Sequence, residues 1–156
     1  MKTSQAILLV EDNDDDVVLM KLALKQAGIC NRLLVVEDGQ QAIEYLAGRN
    51  QFGDRDQFPF PAVVFLDLKL PVKSGHEVLA WIRQQREFKD LVVIVLTSSN
   101  QRVDLQEAYR LGANSYVIKP PTAEQLGELA KAFKWYWLEF NELAKVPTID
   151  PSHEGP

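Results

Sequence analysis

Short apolar runs recur at regular intervals along the chain. Four of them are nearly continuous in Val, Ile and Leu, at residues 7–10, 33–36, 62–66 and 91–96, and a weaker fifth lies in "NSYVIK". Strands that are buried on both faces have unbroken apolar sequences, because neither side of the strand meets water. The pattern therefore predicts five strands in one sheet whose two faces are both covered.

Segments with helical spacing lie between these runs. The first has apolar residues at steps of three and four, and four further segments follow the later strands: "GQQAIEYLAG", "GHEVLAWIRQQ", "QRVDLQEAYRLG" and "TAEQLGELAKAFKWYWLEFNELA". Alternating strands and helices predict an α/β fold with a parallel sheet and helices on both faces. We expect one domain over residues 1–144 and a flexible C-terminal tail over residues 145–156, which are rich in proline and polar side chains.

Composition narrows the classes of partner. The 156 residues carry a formal net charge of -5 and show no basic patch, which speaks against nucleic acid and anionic membranes as partners. A single cysteine excludes an intramolecular disulfide framework. No apolar run approaches the ~18 residues of a membrane span, and the N-terminal run is too short for a signal peptide. We therefore expect a cytoplasmic protein.

Polar side chains follow the predicted strands at the points where those strands end. Glu11 and Asp12 follow the first strand, and Asp67 follows the third. Thr97 ends the fourth strand and Lys119 ends the fifth. Ligands of open parallel sheets bind beyond the carboxyl ends of the strands, near the point where strand order reverses. The sequence therefore predicts that these five side chains converge on one edge of the sheet.

Three carboxylates in one small site repel one another unless a cation joins them. Hard oxygen ligands with room for water suit Mg²⁺. A metal would keep Asp67 ionised, and a carboxylate can act as a nucleophile toward phosphorus. Lys119 could neutralise phosphoryl oxygens, and the Thr97 hydroxyl could hydrogen-bond one of them. The aspartates at 14–16 are expected only to open the first helix, where the helix dipole favours negative charge.

Four motifs occur in the order "VEDNDDD", "VVFLDLKLPVKSGHEVL", "VIVLTSS" and "GANSYVIKPP". Together they resemble the receiver domain of two-component response regulators, over residues 7–143. The resemblance implies a flavodoxin-like fold, which is a doubly wound five-stranded parallel sheet of strand order 2-1-3-4-5. The long connection at residues 49–61 also resembles that of the small CheY-like regulators associated with bacterial phytochromes.

The resemblance assigns roles to the residues at the strand ends. It implies that Asp67 accepts a phosphoryl group from a sensor histidine kinase, with Mg²⁺ as cofactor, and that Thr97 and Lys119 contact this group. The protein would then catalyse only its own phosphorylation and dephosphorylation, and would not be an enzyme in the ordinary sense. The implied metal ligands are Glu11 through a water, Asp12, Asp67 and the backbone carbonyl of Lys69.

The resemblance also implies a switch. Phosphorylation would draw Thr97 toward Asp67, and Tyr116 would rotate inward to fill the space that Thr97 leaves. The fourth helix, the fifth strand and the fifth helix would form the output face. The Lys119–Pro120 peptide is expected to be cis.

The end of the chain suggests how such a switch would act. No effector domain follows, so we expect a stand-alone regulator whose output is a protein–protein contact. The fifth helix is predicted over residues 122–144, with Leu126, Leu129, Phe133, Trp137 and Phe140 facing the core and Trp135, Tyr136 and Leu138 off that stripe. A helix that is apolar on more than one face needs a second cover. We therefore expect a homodimer through the output face, including Phe133, Trp135, Tyr136, Trp137 and Phe140, unless the long loop or the tail covers them.

Three other functions compete with this interpretation. A haloacid dehalogenase-type phosphatase also uses an aspartate nucleophile after a strand, but it needs a second aspartate where Lys69 stands. A dinucleotide-binding domain would need a G-x-G-x-x-G sequence after the first strand, which this chain lacks. A phosphate-independent, receiver-like adaptor or dimerisation module remains as the alternative.

Overall fold

The computed structural model describes residues 5–144, and a five-stranded parallel sheet forms its centre. Its order is β2-β1-β3-β4-β5, so the winding reverses between β1 and β3 and the residues that follow these two strands lie at the switch point. The predicted strands and their predicted order are confirmed. The strands are β1 (Ala6–Val10), β2 (Leu33–Val36), β3 (Pro61–Leu66), β4 (Val92–Thr97) and β5 (Ser115–Ile118).

Five helices cover the two faces of the sheet. They are α1 (Asp14–Gln26), α2 (Gly39–Ala47), α3 (Gly75–Gln84), α4 (Arg102–Arg110) and α5 (Ala123–Phe133). Successive residues of a strand point to opposite faces. Leu8 and Val64 therefore pack with α2, α3 and α4, whereas Ile7 and Val63 pack with α1 and α5. Within residues 5–144, no helix is long and apolar enough to cross a membrane.

Side-chain caps fix where the helices nearest to the switch point begin. Asn13 precedes α1 and accepts a hydrogen bond from the Asp16 N–H, which places the three consecutive aspartates in the first helical turn as predicted. Ser74 precedes α3 and forms a reciprocal capping box with Glu77. Short, capped connections therefore define the backbone at this edge of the sheet.

The long connection at residues 49–61 packs against α2. Arg55 donates hydrogen bonds to the carbonyl oxygens of Tyr45 and Leu46, in the last turn of α2, at 2.8 and 2.9 Å. The guanidinium thus adds hydrogen bonds to carbonyls at the C-terminal end of α2, where the helix dipole favours a positive charge. The Tyr45 hydroxyl donates to the carbonyl oxygen of Pro59 at 2.8 Å. These contacts of the loop lie on the α2 side of the sheet, opposite to α5.

The C-terminal helix changes its winding midway. After Phe133 the helix continues as a π-helix over Lys134–Phe140, with one more residue per hydrogen-bonded turn. The next fully buried position therefore falls five residues later, at Leu138, which is 3% exposed, while Phe140 is 74% exposed. The extended helix is confirmed, although it ends at Phe140. The predicted burial of Phe140 and exposure of Leu138 were wrong, because they assumed an unbroken α-helical period.

The aromatic residues predicted at a dimer interface divide into two groups. Phe133 is buried and packs on Phe65 with ring centroids 4.8 Å apart, so its predicted place in an interface was wrong. Trp135, Tyr136 and Phe140 are exposed, while Trp137 is half-buried. The tail predicted over residues 145–156 lies outside the described residues.

Leu138→Ala is expected to lower the free energy of unfolding by about 2–5 kcal/mol, because it empties a buried site. Phe140→Ala removes an exposed ring and is expected to change this free energy by no more than about 0.5 kcal/mol. Urea unfolding followed by circular dichroism, at protein concentrations low enough to avoid association, measures both effects. A larger loss of unfolding free energy in Phe140→Ala than in Leu138→Ala would mean that the segment continues α5 as a regular α-helix.

Candidate functional site

The carboxyl ends of β1 and β3 bring two carboxylates side by side. The Asp67 N–H donates to the carbonyl oxygen of Val10, and the Glu11 N–H donates to that of Val36, both at 3.1 Å. These bonds extend the strand pairing by one residue beyond each strand. Glu11 and Asp67 are consequently buried, at 3% and 6% exposure, whereas Asp12 is exposed.

Glu11, Asp12 and Asp67 form a cluster of oxygen ligands. One carboxylate oxygen of each residue lies within 4.8 Å of those of the other two. Oxygens at this spacing can ligate one divalent cation, and carboxylates suit hard cations such as Mg²⁺ and Mn²⁺. The donor set therefore fits the predicted metal, and the exposed Asp12 leaves the site open to water.

The Lys119 ammonium lies among carboxylates from three parts of the chain. Its Nζ is 2.6 Å from Glu11 Oε2, 2.9 Å from Asp16 Oδ2 and 3.0 Å from Asp67 Oδ2. The backbone N–H of Lys119 donates to the carbonyl oxygen of Thr97 at 2.7 Å, which fixes the base of the lysine side chain beside β4. The structure thus supplies one cation to the cluster, as the sequence predicted.

Burial and charge oppose each other in this cluster. Desolvation raises the pKa of the Glu11 carboxyl, and the negative charge of Asp67 raises it further. The hydrogen bonds that Glu11 accepts from Lys119 and from the Asn13 N–H lower this pKa, but the net shift is upward. Desolvation by itself would lower the pKa of Lys119. Hydrogen bonds to Glu11 and Asp16, together with the charge of Asp67, outweigh it and raise the pKa of Lys119 above its usual value. Lys119 is therefore cationic at neutral pH.

The N-terminus of α3 packs directly on the backbone of Asp67. Asp67 Oδ1 accepts a hydrogen bond from the Leu68 N–H at 2.7 Å. Gly75, the first residue of α3, donates its N–H to the carbonyl oxygen of Leu68 at 2.8 Å. A Cβ atom at Gly75 would lie 2.1 Å from the Asp67 carbonyl oxygen. Only a residue without a side chain permits this approach.

The end of β4 continues into a hydrogen-bonded loop. Thr97 is fully buried, and its Oγ1 accepts a hydrogen bond from the Ser99 N–H at 3.3 Å. The Ser99 hydroxyl donates to the carboxylate of Asp104, in the first turn of α4. The Tyr116 hydroxyl donates to the carbonyl oxygen of Ser99 at 3.0 Å, and the ring packs against the core. Tyr116 therefore already points inward here, and its rotation on phosphorylation stays a prediction.

The backbone around Lys119 differs from the prediction. No peptide bond among the described residues is cis, so the Lys119–Pro120 peptide is trans and the prediction of a cis bond was wrong. For an X–Pro bond the trans form is lower in free energy by about 0.5–1 kcal/mol. Lys119 reaches Asp67 from this trans conformation. The Lys69 side chain is exposed, and the role of its carbonyl as a metal ligand stays a prediction.

Asp16 is a site residue that the sequence argument missed. It lies in the first turn of α1, as expected, but its carboxylate also contacts Lys119. A signal was present in the sequence, because Asp16 precedes the buried residues Met20 and Ala23 by four and seven positions. Residues at this spacing share one face of a helix. Asp16 therefore lies on the inward face of α1, while its two aspartate neighbours are exposed.

Comparison with known proteins gives consistent matches. Residues 7–131 match the family model described as the response regulator receiver domain. The response regulator Rcp1 of Synechocystis sp. is 36% identical over 135 residues, which cover 86% of this chain and 90% of Rcp1. A crystal structure of the Mn²⁺-bound form of a response regulator Rcp1 has a TM-score of 0.81 at 34% identity, over 90% of this chain and 99% of that chain.

Two further proteins show how widely the similarity extends. The phosphorylated cyanobacterial phytochrome response regulator RcpA has a TM-score of 0.84 at 32% identity, over 91% of this chain and 99% of that chain. The probable methanogenesis regulatory protein FilR2 of Methanothrix harundinacea is 39% identical over 135 residues, which cover 86% of this chain and 84% of FilR2. In sequence, in strand order and in the residues gathered at the sheet edge, the chain thus belongs to the receiver domain family of response regulators.

Proposed function

We propose that Asp67 is the residue that accepts the phosphoryl group in this response regulator. The observation that carries the proposal is its position: a buried carboxylate at the switch point, 3.0 Å from the Lys119 ammonium and clustered with two further carboxylates. An Asp67 oxygen attacks phosphorus, and the bond from phosphorus to the histidine nitrogen of the kinase breaks. The nitrogen keeps the electron pair, and an acyl phosphate forms on Asp67.

The residues around Asp67 suit this transfer. Asp12, Asp67 and the Lys69 carbonyl, with Glu11 through a water, would hold Mg²⁺, which would supply positive charge for the phosphoryl oxygens. Lys119 places a second positive charge on the same side as Asp67 Oδ2. The buried Thr97 hydroxyl accepts from the Ser99 N–H, and its own hydrogen would be the donor to a phosphoryl oxygen. The side chains therefore orient the reactants and balance charge.

The transfer is expected to need a divalent cation. Incubation of the protein with Mg²⁺ and acetyl phosphate should give a species heavier by one phosphoryl group, seen by intact-mass spectrometry. Excess EDTA should abolish it, because the repulsion of the carboxylates and the phosphoryl oxygens is then not neutralised. If no phosphorylated species forms with Mg²⁺ at any acetyl phosphate concentration, the phosphate-independent adaptor becomes the better function.

A phytochrome-type histidine kinase is the upstream partner that we propose. The support is similarity over nearly the whole length of RcpA, a cyanobacterial phytochrome response regulator. FilR2, a probable methanogenesis regulatory protein, is also similar to most of this chain, so proteins of similar sequence are assigned to different pathways. Phosphotransfer from purified candidate kinases, compared by initial rate, tests this assignment, and equal rates from unrelated kinases would contradict it. Lys69 stands where a haloacid dehalogenase-type phosphatase has its second aspartate, and this supports a signalling protein rather than a phosphatase that hydrolyses phosphate esters.

We also propose a homodimer through α4, β5 and the C-terminal helix. Exposed apolar side chains on all three elements support it, namely Val103, Tyr109, Ile118, Trp135, Tyr136 and Phe140. Burial of these side chains against a second copy would remove apolar surface from water. Trp137, which is half-buried beside them, would line the edge of this contact.

Sedimentation velocity tests the dimer. The unchanged protein should sediment as a dimer, and a Trp135→Ala/Phe140→Ala variant should sediment as a monomer. Val18→Ala is the control, because Val18 is equally an exposed apolar residue but lies on α1. A monomer with and without a phosphoryl mimic would contradict the proposal, as would a dimer that both variants leave intact.

A further inference from the structure

Asp16 contacts the site from a helix that contributes no other group to it. Its Oδ2 lies 2.9 Å from Lys119 Nζ, across 103 residues of sequence. Asp14 and Asp15, in the same helical turn, are exposed, whereas Asp16 is half-buried. The three aspartates share one role at the start of α1, and Asp16 alone adds a contact with Lys119.

We propose that Asp16 is a positioning residue for the Lys119 ammonium during phosphoryl transfer. The proposal rests on the proposed function of Asp67, and it adds a residue to the machinery of that site. Asp16 does not touch the reacting atoms. It acts through Lys119, by fixing the direction in which the ammonium presents its N–H groups.

The hydrogen-bonding capacity of Lys119 carries the argument. An ammonium has three N–H donors, and three carboxylates accept from this one: Glu11 at 2.6 Å, Asp16 at 2.9 Å and Asp67 at 3.0 Å. Two of the donors are therefore fixed by groups that do not react, and the third points at the carboxylate that does. When Asp67 carries a phosphoryl group, a phosphoryl oxygen can take this third donor without displacing the other two.

Loss of Asp16 would leave this orientation incomplete. The lysine side chain has four rotatable bonds, and each positioned contact removes part of that freedom before the reaction. Without Asp16 one donor turns to solvent, since the Lys119 side chain is 17% exposed. The ammonium then divides its time between water and the phosphoryl oxygens. Because the substrate still reaches the open side of the site, the maximal rate should fall more than the affinity for the phosphoryl donor.

Four proteins test the proposal: the unchanged chain, Asp16→Ala, Asp16→Asn and Asp15→Ala. With Mg²⁺ and saturating acetyl phosphate, Asp16→Ala should slow phosphorylation of Asp67 about tenfold, the scale expected for loss of a group that orients a reacting one. Asp15→Ala removes the same charge from the same helical turn and should stay within about twofold. Asp16→Asn keeps an oxygen that accepts from Lys119 and should recover most of the rate.

A spectroscopic measurement separates positioning from a general effect on folding. In protein labelled with ¹⁵N-lysine, the Lys119 ammonium resonance, assigned by its loss in Lys119→Met, should be visible in the unchanged chain because its hydrogens are held in hydrogen bonds. It should broaden through exchange with water in Asp16→Ala and stay sharp in Asp15→Ala. Melting temperatures of Asp16→Ala and Asp15→Ala should agree.

Each unfavourable outcome points to a different error. If Asp16→Ala and Asp15→Ala phosphorylate at equal rates, or if the Lys119 resonance is the same in both, Asp16 does not position the lysine. If Asp16→Asn is as slow as Asp16→Ala, the charge of Asp16 rather than its hydrogen bond is what matters, and the proposal fails. If the unchanged chain shows no phosphorylation that depends on Asp67, the proposed function itself is wrong. The Lys119 ammonium resonance in Asp16→Ala and Asp15→Ala then still shows whether Asp16 holds Lys119.

Discussion

Asp67→Asn is expected to abolish phosphorylation by acetyl phosphate and Mg²⁺, with no acyl phosphate detected by intact-mass spectrometry. The amide that replaces the carboxylate is a far weaker nucleophile, and the change removes one of the three clustered carboxylates at the proposed metal site. Neither of the other two carboxylates in the cluster has the surroundings of Asp67, because Asp12 is exposed and Glu11 lies closer to Lys119, at 2.6 Å. The loss should therefore be complete rather than partial.

The Asp67→Asn variant should nevertheless fold. The amide oxygen can accept the hydrogen bond from the Leu68 N–H, and Lys119 keeps its contacts with Glu11 and Asp16. Removing one of several like charges relieves repulsion, so the free energy of unfolding should stay within about 1 kcal/mol of the parent or rise. Asp15→Asn, which makes the same change at an exposed aspartate near the same edge, is the control and should phosphorylate normally.

Persistent phosphorylation of Asp67→Asn would place the acceptor elsewhere. Asp12 would then be the first residue to test, because it is exposed and offers an oxygen within 4.8 Å of Asp67. A variant that neither phosphorylates nor melts cooperatively would show that Asp67 has a structural role, and the charge argument for its function would fail. The melting curve therefore accompanies the mass measurement.

The sequence predicted those features of the fold that follow from short stretches of residues. The unbroken apolar runs predicted β1, β3 and β4 because each of these strands is buried on both faces, and the alternation of strands and helices predicted the layers. The meeting of Glu11, Asp67 and Lys119 followed from the rule that parallel strands end at one edge. Their proximity could be predicted from the residues that end or follow each strand.

Features that depend on the geometry of helices did not follow from the rule about strand ends, although the helical spacing of Asp16 from Met20 and Ala23 offered a signal for one of them. Asp16 reaches Lys119 only because α1 turns its inward face toward the end of β5, and helix-start charges are usually solvated. Leu138 replaces Phe140 in the core because the helix widens after Phe133, and nothing in the residue types marks that change. Both errors assigned a side chain to the wrong environment while placing its backbone correctly.

Gly75→Ala is expected to lower the stability of the fold strongly. The new Cβ would lie 2.1 Å from the Asp67 carbonyl oxygen and 2.7 Å from Leu68 Cα, and both of these are backbone atoms. A flexible side chain could move away, but here α3 or the loop after β3 must shift. We expect the free energy of unfolding to fall by about 3 kcal/mol or more, as for other overpacked buried sites. Thermal and urea unfolding measure the change.

The same substitution should also impair phosphoryl transfer, because a shift of the loop after β3 would move the backbone of Asp67. A displacement of about 1 Å at a reacting group can cost about 100-fold in rate. Gly127→Ala is the matched control: it lies inside α5, the new Cβ meets no atom within 4 Å beyond its chain neighbours and the adjacent helix backbone, and it should stabilise the helix by about 0.5–1 kcal/mol. If Gly75→Ala instead behaved like Gly127→Ala, α3 would be free to move relative to Asp67. The position of Asp67 would then depend on β3 and its own hydrogen bond to Leu68, not on the helix packed beneath it.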